Sequence, residues 1–156
     1  MVKTNVMRLL EQAGIPYEAL EYEYDENNLS GRHAAELVGM PPEQVFKTLV
    51  ARGEKRGIVV FCIPVNTELN LKKAAVCIGD KKIEMLHVKD LLGVTGYIRG
   101  GCSPIGMKKT FPTFMDETAI LFEEISVSAG IRGCQLRVPR EQLAAYIHAQ
   151  LCDIAE

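Results

Sequence analysis

Hydrophobic residues at the start of the chain recur at helical spacing and then switch to alternation. Val6, Leu9, Leu10 and Ala13 form one stripe, Thr4 stands where a hydroxyl can cap the first turn, and Gly14 stands where the helix would end. After Ile15-Pro16, apolar and acidic residues roughly alternate from Tyr17 to Tyr24, predicting a half-exposed strand with Tyr22 and Tyr24 on one face. Asp25 to Leu29 is turn-rich, and Ser30 is placed to cap a short helix carrying Ala34, Ala35, Leu37 and Val38 before Gly39. Pro41-Pro42 restarts the chain. The runs Val45–Val50 and Ile58–Ile63, joined by the charged turn Gly53–Gly57, predict a hairpin.

Farther along, Asn70 predicts a cap for a helix with Leu71, Ala74, Ala75 and Ile78 inward, closed by Gly79. Ile83–Leu86 reads as a short strand, and Val88–Leu92 as a short helix stopped by Gly93, with His87 at its start as a surface or capping residue. Residues 112–115, 119–122 and 125–128 read as short extended pieces. A tight turn, Ala129–Gly133, then leads to a final strand, Cys134–Val138. Pro139 suits the first turn of a terminal helix with Leu143, Tyr146 or Ile147, and Leu151 inward. This order lacks the regular strand-helix alternation of a doubly wound sheet. It predicts an α+β fold, with a curved mixed β-sheet or partly closed barrel flanked by helices, in a single domain spanning residues 1–156.

Composition narrows the classes of function. A net charge of −2 over 156 residues gives no global attraction to a polyanion, so any contact with nucleic acid must be local. Lys72, Lys73, Lys81 and Lys82 are the one basic concentration outside the glycine-rich stretch described below, read first as a solvated face and second as a rim able to meet a few phosphates. The five cysteines, Cys62, Cys77, Cys102, Cys134 and Cys152, form no C-x-x-C pair and have no histidine at metal spacing. They read as buried or idle thiols, with no metal and no cofactor expected. Their odd number and the absence of a signal peptide point to a reducing cytoplasm, and the longest apolar run, Ile58 to Pro64, is too short to cross a bilayer.

Candidate chemistry gathers in two places. Residues Gly96 to Lys109 put four glycines, a Ser-Pro step and three basic residues between apolar segments. Adjacent glycines let main-chain N–H groups approach a ligand, and such donors can hold a phosphate, a carboxylate or a developing oxyanion. The same composition also suits a long surface hairpin. Lys47, in the first hairpin strand, shares a face with Val45 and Leu49. If that face is core, its ammonium needs an acidic partner or a ligand's negative charge; if that face is solvated, the lysine is ordinary.

Taken together, Val45-Phe46-Lys47-Thr48-Leu49 and Gly96-Tyr97-Ile98-Arg99-Gly100-Gly101-Cys102-Ser103-Pro104, followed by Lys108-Lys109, resemble the YbaK/EbsC family. These are freestanding aminoacyl-tRNA deacylases related to the editing domain of bacterial prolyl-tRNA synthetases. The likeness extends over essentially the whole chain, including Tyr22-Glu23-Tyr24-Asp25, Asn70-Leu71-Lys72-Lys73 and Val127–Gly133. It implies a single α+β domain that hydrolyses the ester joining a wrongly attached amino acid to the 3′ end of tRNA, the pattern being most similar to the Cys-tRNA(Pro) deacylases. The partners it implies are the aminoacyl-tRNA 3′ end and, as a source of tRNA recognition, prolyl-tRNA synthetase.

By the same resemblance, Lys47 is the functional lysine, Gly100-Gly101 is the loop wrapping the ester, and Tyr22, Thr48, Ser103 and Ser128 line the pocket. No covalent nucleophile is implied, because the substrate's own thiol attacks its ester. Cys102 departs from the aliphatic residue usual in the family, and Gln135 stands where related deacylases often carry an acid. Gln135 leaves open what balances Lys47. It also keeps alive a rival of another class, a regulatory protein that binds an aminoacyl or nucleotide ligand without hydrolysing it.

Overall fold

The computed structural model describes residues 2–156. The helix signals in the sequence act as read: Thr4, Ser30 and Asn70 each accept a main-chain N–H three residues on, from Met7, His33 and Lys73. They open α1 (Asn5–Gln12), α2 (Gly31–Val38) and α3 (Leu71–Ile78), and Gly39 and Gly79 close the latter two in the left-handed conformation. Leu71, expected inward, stands at the first helical position and is largely exposed.

The strands make two sheets. In the first, β1 (Glu18–Glu21), β7 (Cys134–Pro139) and β6 (Glu124–Ser128) lie antiparallel in the order β1-β7-β6. The second is mixed: β4 (Ile83–Met85), β2 (Phe46–Gly53), β3 (Gly57–Pro64), β5 (Thr113–Asp116) and β8 (Gln150–Cys152), in the order β4-β2-β3-β5-β8. The predicted hairpin is β2–β3, in register from Phe46↔Pro64 to Gly53↔Gly57. Among the described residues a single parallel bridge, Val45↔Ser126, joins the sheets, and they do not close into a barrel.

The largest apolar cluster lies between the sheets beneath α1, with Val6, Met7, Leu10, Phe46, Met115, Ile125, Leu136 and Leu143 among its members. A second packs Phe61, Ile63, Ala74 and Ile78 between the five-stranded sheet and α3, and a smaller one gathers Ala35, Met40, Val45 and Val65 under α2. Gly31 permits that last approach, since a Cβ there would meet Val65 Cγ1 at 2.5 Å.

Four local expectations are corrected. Helix α4 (Val88–Thr95) runs through Gly93 and ends at Gly96, whose φ of 88° supplies the left-handed cap that Gly93 does not. Residues 119–121 are not extended, and only Phe122 is: Glu117–Leu121 is a 3₁₀ turn capped by Asp116, whose Oδ2 accepts from the Thr118 N–H and hydroxyl. The terminal helix, α5 (Arg140–Tyr146), stops short, and Leu151 sits exposed in β8, which pairs parallel with β5. Cys77 of α3 and Cys152 of β8 form a disulfide rather than idle thiols, leaving Cys62, Cys102 and Cys134 free. No helix among the described residues is long and apolar enough to cross a membrane.

Candidate active site

Where the two sheets part beyond the Val45–Ser126 bridge, a cavity of about 560 Å³ opens, walled by β2, the start of α2, the β4–α4 segment, and the loop from Arg99 to Cys102. Its size suits a small-molecule site, for which ~300–1,000 Å³ is typical. It brings Lys47, Thr48, Tyr22, Ser128 and Gly100 together from four separate parts of the chain. Gln135 and Cys102 also line it.

Lys47 projects from β2 with 23% of its side chain exposed, and its Nζ lies 3.7 Å from Glu68 Oε1. Glu68 is therefore the counter-charge that sequence reasoning did not find; it sits in the connection after β3, where no periodicity marks it. Two members of the exposed basic cluster have acid partners, Lys73 with Asp153 at 3.0 Å and Lys82 with Glu84 at 3.3 Å. Arg32 and Arg99 add positive charge to the cavity wall, against Glu68 as its one acid.

The glycine loop is held by its own contacts. Tyr97 donates to the Ile105 carbonyl, and Arg132 Nε donates to the Arg99 carbonyl at 2.9 Å. Gly100, at φ 87°, faces the cavity. Gly101 does not: it is buried, its N–H donates to the Ile98 carbonyl at 3.0 Å, and a Cβ there would lie 3.0 Å from the Ile131 backbone. Ser103, expected in the pocket, is fully buried away from it, with Oγ accepting from the Ile105 N–H at 3.3 Å. A Ser-Pro step in a tight loop turns the hydroxyl back onto its own backbone, so this serine shapes the loop rather than the cavity wall.

Ser128 lines the cavity and accepts from the Gly130 N–H at 3.1 Å. Gln135 is buried beneath it, with Oε1 accepting from Ser126 Oγ at 2.8 Å. Tyr22 lies just past the end of β1, and burial raises its phenol pKa against the opposing pull of hydrogen bonds from Gly133 and Gln135. Burial also pushes the Cys102 thiol up to about 12, despite a contact with Thr95, and does the same to Cys62. A thiol held there carries almost no thiolate near neutrality, so neither cysteine is an activated nucleophile. Among the described residues, no three His, Cys, Asp or Glu side chains gather in a group able to hold a metal ion.

The chain is similar to several known proteins. Residues 28–146 match the family described as "Aminoacyl-tRNA editing domain". The chain is 50% identical over 152 residues, 97% of its own length and 93% of the relative's, to a protein of Enterococcus faecalis named "Putative Cys-tRNA(Pro)/Cys-tRNA(Cys) deacylase EbsC". It is 29% identical over 92 residues to proline–tRNA ligase of Thermosipho africanus, covering 59% of this chain and 16% of that enzyme. A crystal structure described as a "putative trans-editing enzyme for prolyl tRNA synthetase" superposes with a TM-score of 0.84 at 25% identity, covering 100% of this chain and 99% of the other. The chain belongs to the aminoacyl-tRNA editing domain family.

Proposed function

We propose that this protein is a trans-editing deacylase that hydrolyses the ester of mischarged Cys-tRNA(Pro). The observation that carries the reading is the cavity itself, in which Lys47 and the Gly100 loop line one pocket that contains no activated nucleophile. An aminoacyl ester is already activated, and a positioned intramolecular attack gains much of its barrier as effective molarity. The substrate thiol supplies the attack. Its sulfur bonds to the carbonyl carbon as the bond to the ribose oxygen breaks, the thiol proton passing to that oxygen as the ribose hydroxyl is restored, and water then opens the resulting thiolactone to free cysteine.

The chain's own groups bind and orient. Lys47 meets the terminal phosphate or ribose oxygens, with Arg32 and Arg99 on the same wall. The donor for the developing oxyanion is the Gly100 N–H, since that of Gly101 is occupied by Ile98. One such donor is typically worth about 2.7–4 kcal/mol. Tyr22, Thr48 and Ser128 complete the walls of the aminoacyl end, and Gly101 and Ser103 hold the loop in shape. Recognition of the tRNA body is weak and is supplied by prolyl-tRNA synthetase, in the cytoplasm where charging occurs.

The test is release of labelled cysteine from Cys-tRNA(Pro), alongside Ala-tRNA(Pro), Pro-tRNA(Pro) and Cys-tRNA(Cys), with Lys47→Ala as control. Fast cysteine release, lost in Lys47→Ala with the fold intact, supports the reading. Preferential hydrolysis of Ala-tRNA(Pro) would move the substrate to alanine and remove the role of the substrate thiol. Hydrolysis of none, with an aminoacyl-adenosine analogue still bound, would make the protein a regulatory binder.

A further inference from the structure

The cavity is bounded by the edge of a strand rather than by its face. Residues 45 to 50 all line it without interruption, whereas a strand face would contribute only alternate residues. Two hydrogen bonds fix which way the backbone points. The Val45 carbonyl accepts from Val65 N–H on the β3 side, and the Val50 carbonyl accepts from Leu86 N–H on the opposite side. Alternation along an antiparallel strand then turns the main-chain polar groups of residues 47 and 49 toward β3 and those of 46 and 48 away from it. Thr48 faces Cys62 across the ladder, and the Val60 N–H, two residues before Cys62 on β3, likewise points away from β2 and donates to Pro112.

The outward edge of β2 is shared by two neighbours that do not meet. β6 touches it at Val45, and β4 pairs with it from Ala51 onward. Among the described residues nothing pairs with the main chain of Thr48 between them, while its side-chain Oγ1 is turned to the Cys62 thiol across the ladder. Thr48 is half-buried and lines the cavity, so its main-chain donor and acceptor are presented to whatever fills that space. The charges bear on which molecule. The one carboxylate on the wall is engaged with Lys47, and the Gln135 oxygen is engaged with Ser126. The Thr48 carbonyl, on the open edge, is an acceptor for a ligand ammonium that is engaged with neither.

We propose that the substrate aminoacyl group binds as a one-residue strand on this open edge, its α-ammonium donating to the Thr48 carbonyl and its ester carbonyl accepting from the Thr48 N–H. The edge then reads the part common to all α-amino acids, and the surrounding side chains read what differs between them. It also adds a second main-chain donor to the oxygen that gains charge when the ester is attacked. This deepens the deacylase reading and rests on it for the nature of the ligand.

The test measures binding rather than turnover. Calorimetry compares two non-hydrolysable analogues, 3′-cysteinylamino-3′-deoxyadenosine and its des-amino counterpart with a 3-mercaptopropionyl group. It uses the full-length protein, a Glu68→Gln variant, and a full-length protein with the Thr48 main-chain N–H replaced by oxygen. The expected result is at least tenfold weaker binding of the des-amino analogue, unchanged discrimination in Glu68→Gln, and at least fivefold weaker binding of the cysteinyl analogue to the backbone-substituted protein at unchanged melting temperature. If that protein melts lower, a 1-aminoalkyl analogue lacking the carbonyl replaces the melting criterion, and its affinity should be unaffected by the substitution. Equal affinity for the two analogues, discrimination that disappears with Glu68, or binding of neither analogue would overturn the proposal. Edge-dependent binding without hydrolysis of Cys-tRNA(Pro) would leave the edge proposal standing and remove the deacylase reading.

Discussion

Glu68 holds the Nζ of Lys47 at 3.7 Å, yet 81% of the glutamate side chain is exposed. Exposed ion pairs are worth about 0–1 kcal/mol, so under the proposed function a substrate phosphate would displace the carboxylate at little cost. Glu68→Gln should therefore stay within about fivefold of the parent in deacylation, while Lys47→Ala removes activity; a Glu68→Gln protein as inactive as Lys47→Ala would make the pair itself essential. The thiols give a second prediction at this scale. Cys62 and Cys102 have folded pKa values raised to about 12, above those of the unfolded chain. Their contribution to stability is thus fully present below the unfolded thiol pKa of about 8.5 and is lost as pH rises toward 12, at no more than about 1.4 kcal/mol per pH unit for each thiol. Urea midpoints should fall between pH 8.5 and 10.5, and Cys102→Ala should make that fall shallower. A pH-independent midpoint would show that these thiols are open to solvent.

Elements whose limits were set by a local signal were legible in the sequence, and elements set by a distant partner were not. Thr4, Ser30 and Asn70 announce their helices because capping is a contact over three residues. β8 has only three residues and no alternation to show; it exists because β5 offers it a parallel edge and because Asp116 holds the chain beyond it. Asp116 is buried, and its two oxygens accept from the Ile154 and Ala155 N–H groups and from both donors of Thr118. Asp116→Ala would leave four donors without their acceptor and should cost about 3 kcal/mol in urea denaturation, with deacylation at low temperature preserved. The Cys77–Cys152 disulfide secures the same C-terminal segment to α3, closing a loop of 75 residues. In the chain-entropy account such a loop is worth about 4.5 kcal/mol, so Cys152→Ser should lower the oxidised protein's stability toward that of the reduced one and leave the reduced protein nearly unchanged.

At the scale of the whole molecule, the site arises where two sheets joined by one bridge come apart. That explains what the sequence could not disclose. Lys47 and the glycine loop were recognisable as motifs, but the partner of Lys47 comes from the connection after β3, and the open edge at Thr48 depends on how β6 and β4 divide one side of β2. The same arrangement limits how much nucleic acid the protein can hold. The cavity wall carries three cations, Lys47, Arg32 and Arg99, and one of them is paired with Glu68; the chain as a whole is at −2. Each phosphate of a single strand contributes about −0.7 to the slope of log affinity against log salt, so three contacts allow a slope of about −2 at most. Titration of the isolated protein with a charged-tRNA analogue and with a short 3′-end analogue should give slopes no steeper than this and nearly equal affinities. A slope of −5, or much tighter binding of the whole tRNA, would require a phosphate track outside the cavity and would make a synthetase unnecessary for tRNA recognition.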